Sequence, residues 1–229
     1  MKLYYAKIEE LSGEEMQRAL HLLPAERVEK IERTKQKKNQ LQSVYAGLLL
    51  EYALRERNLS GKELTFLKNP DGKPYIAEHP ELFYNLSHSK DYVALVLDKY
   101  PVGVDVEGVR SGYQKLANRF FSTDEIAFLQ ESWSDGVFTR LWTRKESYLK
   151  ATGYGMRMPL AGFSTLGETV EVNEQMAEEM TGDTVYYLYS TVLENEYWLS
   201  VCRSDIPVCG KKEHPVTVKV DLKRSLLKV

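Results

Sequence analysis

Apolar and polar residues alternate along this 229-residue chain in patterns that predict strands and helices in turn. A first strand is predicted at KLYYAKI, and Ser12 with Glu15 three residues later is the pattern of a capping box that opens a helix. Over about Pro24 to Arg57, apolar positions recur at helical spacing. We therefore predict a long helical stretch there, broken or bent at some point.

The second half of the chain loosely repeats this plan. A short helix is predicted with Ser122 or Thr123 as its cap, and a long helix is predicted over DGVFTRLWTRKESYLKATG, with Gly153 as its end. Strand-like runs follow at TVYYLYSTVL, YWLSVCR and VTVKVDL.

Two apolar runs, YVALVLD and PVGVDVE, lie where the two halves meet and predict adjacent strands joined by a short link. Helices followed by antiparallel-looking strands, twice over, predict an α+β fold built from two similar halves. We place the N-terminal half at residues 1–102 and the C-terminal half at residues 103–229.

Composition narrows the class of protein. Apolar residues make up 43% and charged residues 28% of the chain, which is typical of globular proteins. The formal net charge of −2 argues against nucleic-acid binding driven by overall positive charge. With no leader pattern and no run of ~18 apolar residues, we expect a cytoplasmic protein without a membrane partner. Cys202 and Cys209 lack metal-site spacing and are interpreted as buried or incidental thiols.

Candidate chemistry begins with Asp105 and Glu107. They are two residues apart in a predicted strand, so their side chains point the same way and their carboxylates converge. Carboxylate oxygens are the ligands that Mg²⁺ prefers, and the pair is therefore a candidate metal site. A solvated strand edge is the alternative interpretation.

Glu146 and Lys150 are spaced to share one face of the second long helix. A functional interpretation makes Glu146 a third carboxylate near the metal and Lys150 a cation for a phosphate. The alternative is an ordinary surface ion pair.

Two further segments carry groups that can donate hydrogen bonds to phosphate oxygens. NLSHS places Ser87 and His88 in a predicted turn between strands, where a hydroxyl and an imidazole can donate to phosphate oxygens. A serine nucleophile with a histidine base is disfavoured because adjacent residues rarely reach that geometry. DGKP offers the backbone of Gly72 and the ammonium of Lys73, with a plain turn as the alternative.

Together these segments resemble the 4′-phosphopantetheinyl transferase superfamily, specifically its larger, surfactin-type (Sfp-type) monomeric members. The resemblance implies a pseudo-twofold pair of α/β halves with coenzyme A in the cleft between them. It rests on five motifs in order, which are DGKP (71–74), YNLSHS (84–89), GVDVE (103–107), RFFS (119–122) and LWxxKESxxK (141–150).

The resemblance also implies an activity. Mg²⁺ held by Asp105, Glu107 and Glu146 would bridge to the pyrophosphate of coenzyme A. A serine of an apo acyl or peptidyl carrier protein would attack the β-phosphorus, and 3′,5′-ADP would leave. Asp105, Glu146 and Lys150 are the implied catalytic residues; Glu146 is the first candidate base, and Glu125 is the second.

Residues implied to bind coenzyme A come from both halves. Gly72, Lys73 and Pro74 would line the adenine, and Ser87, His88 and Lys150 would meet the phosphates. The family usually has an arginine that grips the 3′-phosphate, and here Gln42 or Ser43 stands in its place. That role would pass to one of four basic residues: Arg27, Lys30, Lys37 or Lys38.

The implied carrier protein presents acidic residues beside its serine, and Lys115, Arg119 and Phe120 are candidates to receive it. Phe120 has an equal claim to be a core residue. Two other functions are compatible with the motifs. One is a non-catalytic regulatory module that binds coenzyme A, and the other is a Mg²⁺-dependent nucleotide pyrophosphohydrolase.

Overall fold

A computed structural model of the chain describes residues 1–173, 184–194, 196–205 and 214–228. The α-helices are α1 (Gly13–Leu22), α2 (Ala25–Arg33), α3 (Lys37–Arg55), α4 (Gln114–Phe120), α5 (Thr123–Glu131) and α6 (Asp135–Thr152). The strands are β1 (Lys2–Lys7), β2 (Phe66–Lys68), β3 (Pro74–Ile76), β4 (Phe83–Ser89), β5 (Tyr92–Asp98), β6 (Val102–Gly108), β7 (Phe163–Ser164), β8 (Glu171–Val172), β9 (Val185–Leu193), β10 (Tyr197–Asp205) and β11 (Val216–Lys219).

Local signals set the ends of several helices as predicted. Ser12 caps α1 in a complete capping box with Glu15, and Ser122 caps α5 in the same way. The predicted long helix is broken into α2 and α3 because Thr34 and Gln36 adopt extended backbone conformations. α6 ends at Gly153, whose φ of 81° is a left-handed conformation that glycine adopts without strain.

Two sheets organise the molecule. The first has the order β11-β1-β5-β4 and the second has the order β6-β10-β9, while β2 with β3 and β7 with β8 form small hairpins. β5 and β6 are consecutive strands joined by a short link, as predicted, but they do not pair with each other, because they belong to different sheets. The short link between them carries the chain from one half to the other.

The two sheets meet where β4 faces β6, and side chains make the connection. Asn85 Oδ1 accepts a hydrogen bond from the backbone nitrogen of Val104 at 3.0 Å, and Ser87 Oγ accepts one from Val106 at 3.4 Å. α6 packs across β6 and β10, and α3 packs on the first sheet. The cleft between the halves is therefore bordered by β4, β6 and α6.

The end of the chain returns to the first sheet. β11 pairs in parallel with β1, and Val220, Leu222 and Leu227 are buried in the same core as α3. The division at residue 103 thus leaves one strand of the N-terminal sheet in the C-terminal segment.

From the sequence we expect buried or incidental cysteine thiols and no membrane-spanning segment. Cys202 is a buried free thiol, as predicted, and burial raises its pKa; Cys209 lies outside the described residues. In the described parts of the chain, no helix has the length and apolar content needed to cross a bilayer.

Candidate functional site

Helix α6 crosses β6 at very short distance, and Gly103 makes this approach possible. A Cβ atom at position 103 would lie 2.0 Å from the carbonyl oxygen of Ser147 and 2.4 Å from the backbone nitrogen of Ala151. Both distances are far inside van der Waals contact, so only glycine fits here. The glycine of the GVDVE motif thereby brings Glu146 and Lys150 of α6 against β6.

Asp105 is held at one oxygen and unpartnered at the other. It is 4% exposed, and its Oδ1 accepts hydrogen bonds from Lys150 Nζ at 2.6 Å and from Ser87 Oγ at 2.8 Å. Its Oδ2 is buried without a hydrogen-bond partner among the described residues. A buried carboxylate oxygen without a partner is costly, so this atom suits a cation.

Glu107 has a similar arrangement two residues further along β6. Its Oε2 accepts a hydrogen bond from Ser89 Oγ at 2.6 Å and lies 3.8 Å from the guanidinium of Arg110. Burial raises the pKa of Glu107, and the negative charge of Asp105 raises it further, while the hydrogen bond from Ser89 opposes the increase.

Glu146 is the third carboxylate. Burial raises its pKa, and the negative charges of Asp105 and Glu107 act in the same direction. All three carboxylates line one cleft of about 410 Å³. The other lining residues are Leu86, Ser87, His88, Trp142 and Lys150.

Asp105, Glu107 and Glu146 have the chemistry to bind a hard divalent cation, but their side chains are not arranged around a common point. Within the described ranges, no group of three or more His, Cys, Asp or Glu side chains is arranged as a ready metal site. Asp105 Oδ1 is instead bound to the ammonium of Lys150. Nevertheless, the three carboxylates share one cleft, the pKa values of Glu107 and Glu146 are raised, and Asp105 has an unpartnered buried oxygen; carboxylates of this kind are ligands that bind Mg²⁺.

The DGKP segment forms the turn between β2 and β3 and lines a second cleft of about 260 Å³. Gly72 has a φ of 82°, and with Pro74 it lies beside Glu146 and Lys150, so the two clefts adjoin. The ammonium of Lys73 donates to the carbonyl oxygens of Val102 at 3.1 Å and Ala151 at 2.6 Å. Lys73 therefore anchors the turn to β6 and to the end of α6.

Ser87 and His88 lie within β4 rather than in a turn, which corrects the sequence prediction. Ser87 is buried and donates to Asp105, while His88 is exposed at the edge of the same cleft. Partial desolvation lowers the pKa of His88, and the positive charges of Lys150 and Lys30 lower it further.

Four basic residues of the N-terminal half were candidates to bind the 3′-phosphate, and of these Lys30 is near enough to the cleft residue His88 to affect its pKa. Arg27 runs along Gly47 of α3 and donates to the carbonyl oxygen of Ser43 at 3.5 Å. Burial lowers its pKa, and in the described part of the chain no carboxylate pairs with it. Lys30 is exposed near His88. Lys37 and Lys38 are exposed in the first turn of α3.

Gln42, one of the two residues at the expected arginine position, is buried, and its amide donates to the carbonyl oxygen of Lys90 at 3.2 Å. It connects α3 to the end of β4.

Glu125 is a buried structural residue and does not reach the cleft. It is fully buried, and its Oε2 lies 2.7 Å from Lys145 Nζ. Its oxygens also accept hydrogen bonds from Ser122 and Thr165. Every contact joins α5, α6 and the segment after α6, so Glu125 is not placed to act as the base.

An aromatic cavity of about 210 Å³ adjoins Glu107. Its walls include Tyr113, Phe138 and Trp142, and Phe120 packs edge-on against Trp142 with ring centroids 5.8 Å apart. Phe120 is half-buried, whereas the nearby cations Lys115 and Arg119 are exposed.

Two residues of the site lie in the quoted motifs but were given no role of their own by the sequence analysis. Trp142 lines both the main cleft and the aromatic cavity, and its place in the LWxxKE motif was the available signal. Ser89 binds Glu107, and its signal was the shared two-residue spacing of Ser87–Ser89 and Asp105–Glu107.

Several known proteins with similar sequences point to one family. Residues 101–202 match the 4′-phosphopantetheinyl transferase superfamily, and residues 10–99 match the N-terminal region of a 4′-phosphopantetheinyl transferase. A 4′-phosphopantetheinyl transferase of Bacillus subtilis is 30% identical over 215 residues, covering 91% of this chain and 95% of the relative.

Two more relatives carry the same name. The 4′-phosphopantetheinyl transferase Sfp of Bacillus subtilis strain 168 is 28% identical, covering 88% of this chain and 92% of its own length. The 4′-phosphopantetheinyl transferase gsp of Aneurinibacillus migulanus is 31% identical over 161 residues. The match covers 68% of this chain and 65% of the length of that relative. From this similarity along nearly its whole length, the chain belongs to the 4′-phosphopantetheinyl transferase superfamily, as an α+β enzyme of the Sfp type.

Proposed function

We propose that this enzyme transfers the 4′-phosphopantetheine arm of coenzyme A to a serine of an apo acyl or peptidyl carrier protein, releasing 3′,5′-ADP. The names of its relatives support this reaction. The observation that carries the proposal is the convergence of Asp105, Glu107, Glu146 and Lys150 on one cleft. No feature of the cleft favours a regulatory module or a hydrolase.

Coenzyme A would extend across the two adjoining clefts. The adenine would occupy the cleft lined by Gly72, Lys73 and Pro74, with Lys73 forming part of the wall rather than offering a free cation, because its ammonium is bound by two carbonyls. The pyrophosphate would lie against Ser87, His88 and Lys150.

Arg27 and Lys30 are the proposed partners of the 3′-phosphate. Arg27 is a largely desolvated cation, and Lys30 lies on the side of the cleft where His88 is found. An anion between them would provide the counter-charge for both.

Mg²⁺ is the proposed cofactor, with Asp105, Glu107 and Glu146 as its ligands. When bound, it would supply positive charge that shields the pyrophosphate. The unpartnered Oδ2 of Asp105 and the raised pKa values of Glu107 and Glu146 support this assignment.

The chain's own residues carry the transfer step. As the carrier serine oxygen bonds to the β-phosphorus, the bond from that phosphorus to the departing 3′,5′-ADP oxygen breaks, and its electron pair leaves with the nucleotide. Glu146 accepts the serine proton, and its raised pKa makes it a stronger base than an exposed carboxylate. Lys150 balances negative charge on the phosphates.

The carrier protein would dock beside the aromatic cavity. The exposed cations Lys115 and Arg119 suit a partner with acidic residues next to its serine. A cleft that a single chain lines by itself supports a monomer, and we propose that it acts in the cytoplasm.

Mass spectrometry of carrier proteins tests the reaction. Wild-type enzyme with coenzyme A and Mg²⁺ should add one phosphopantetheine arm to at least one apo carrier in a panel. Glu146→Gln should slow this addition by about 100-fold or more because the base and a metal ligand are lost together. Glu131→Gln, on the exposed surface of α5, is the matched control and should keep full activity.

Failure of the folded wild-type enzyme to modify any carrier would contradict the transferase assignment. Incubation with coenzyme A alone separates the hydrolase alternative, since a pyrophosphohydrolase would release 3′,5′-ADP without a carrier.

A further inference from the structure

Strand β4 contacts β6 through a row of small polar side chains. Asn85, Ser87 and Ser89 follow one another at two-residue spacing and therefore point to the same side of β4. All three are buried, with exposed fractions of 7%, 7% and 5%. Each one hydrogen-bonds to β6: Asn85 to the backbone of Val104, and the two serines to carboxylates.

The two serines bind the two carboxylates in the same way. Ser87 donates to one oxygen of Asp105, and Ser89 donates to one oxygen of Glu107. In each case, the contacts found among the described residues fall on a single oxygen, Oδ1 of Asp105 or Oε2 of Glu107. The second oxygen of each carboxylate is left for another partner.

Ser89 provides the main restraint on Glu107. Its hydrogen bond is short, at 2.6 Å, and involves a charged acceptor, which makes it stronger than a neutral one. The contact with Arg110 is longer, at 3.8 Å, and both of its side chains are at least one-third exposed. An exposed ion pair of this kind restrains a side chain weakly.

We propose that Ser89 is a positioning residue that holds Oε2 of Glu107 so that Oε1 stays available as a metal ligand beside Oδ2 of Asp105. This inference rests on the proposed function, because it assigns Glu107 to the metal. Ser89 does not itself contact the substrate or the metal in this proposal.

Titration with Mn²⁺ alone, followed by electron paramagnetic resonance of the free ion, tests the proposal. Ser89→Ala should raise the Kd for Mn²⁺ by about 10-fold, the usual effect of removing a residue that orients a metal ligand. Ser89→Thr keeps the hydroxyl and should recover most of the affinity. Ser132→Ala, which removes an exposed hydroxyl after α5, should leave the Kd unchanged.

A second readout separates positioning from a general structural effect. The carrier modification rate of Ser89→Ala should recover as the Mg²⁺ concentration increases, since the defect is in metal binding. Thermal melting checks that the variant is folded. Should Ser89→Ala fail to fold, Ser89→Cys, whose thiol is a weak donor, takes its place with the same expected rise in Kd.

An unchanged Kd in the folded variant would overturn the proposal, as would a wild-type protein that binds no Mn²⁺. Its failure is distinguishable from that of the transferase assignment. Equal carrier modification by wild type and Ser89→Ala at limiting Mg²⁺ contradicts only the role of Ser89. Mn²⁺ binding by an enzyme that modifies no carrier contradicts only the transfer reaction.

Discussion

Lys150 and Asp105 join the two elements of the site through a single contact. Their charged atoms are 2.6 Å apart, the Asp105 side chain is 6% exposed, and the Lys150 side chain is 28% exposed. The partly exposed ammonium can regain water if its partner is removed, whereas a lost carboxylate cannot be replaced. Asp105 therefore matters more for chemistry than for stability.

Asp105→Ala should reduce the rate of carrier modification by about 100-fold or more, because it removes a metal ligand, while the protein remains folded. Mass spectrometry measures the rate of carrier modification, and a thermal melt checks that the variant is folded. Asp105→Asn, which keeps the shape of the side chain, should also be impaired. An Asp105→Ala enzyme with full turnover at saturating Mg²⁺ would show that Asp105 is not a metal ligand.

Lys73 links stability to pH. Burial lowers its pKa from 10.5 to about 8 in the folded protein. Between these two values the unfolded chain binds more protons than the folded one, so the contribution of Lys73 to the free energy of unfolding increases with pH. Below about pH 8 the ammonium is charged in both states, and the cost of burying it is at its full value.

The free energy of unfolding of wild type, relative to that of Lys73→Met, should therefore increase by up to about 1.4 kcal/mol per pH unit as pH rises above about 8. Urea denaturation on either side of that pH measures it. Lys68→Met, at an exposed position of the same hairpin, should show no such trend. A pH-independent difference for Lys73→Met would mean that the pKa of Lys73 is not lowered.

At the scale of elements, the crossing of α6 over β6 decides whether the site exists. A methyl group at Gly103 would collide with backbone atoms of Ser147 and Ala151, and backbone cannot move aside as a flexible side chain can. The helix would have to move away from β6 and take Lys150 with it.

Gly103→Ala should reduce the free energy of unfolding by about 1–3 kcal/mol or more and impair carrier modification. Chemical denaturation and the mass-shift assay measure the two effects. Gly13→Ala is the matched control, because a Cβ atom there has no neighbour within 4 Å, and it should be close to neutral. Wild-type stability and activity in Gly103→Ala would contradict the close crossing.

At the scale of the whole molecule, the chain's last segment closes the N-terminal sheet. β11 pairs with β1, and Leu227, 1% exposed, packs into the core around α3. The two halves are thus connected through the C-terminal segment as well as through the short link between β5 and β6.

Leu227→Ala should destabilise the protein by about 2–4 kcal/mol, because it leaves a cavity in the N-terminal core. Val216→Ala, at a position of β11 that is 61% exposed, should cost no more than about 0.5 kcal/mol. The two losses of stability are measured from the denaturation midpoints of the variants. Equal midpoints would contradict the burial of Leu227.

Features that depend on a few neighbouring residues were predictable. The capping boxes of Ser12 and Ser122 and the helix end at Gly153 are local, because their geometry is decided within one turn of helix. The separation of β5 from β6 was not predictable, because the partner of a strand is chosen by distant segments. The burial of Glu125 against Lys145 was also not predictable, because it too depends on packing between separate segments.

The sequence by itself determined the kinds of groups available and their spacing within each element, and with them the family and the α+β class. Only the tertiary structure decided which groups meet: that Lys73 binds backbone carbonyls, that Ser89 binds Glu107, and that Lys150 reaches Asp105. The physical reason is the distance along the chain over which each interaction acts. Backbone conformation responds to adjacent residues, whereas contacts and desolvation depend on segments far apart in the chain that packing brings together.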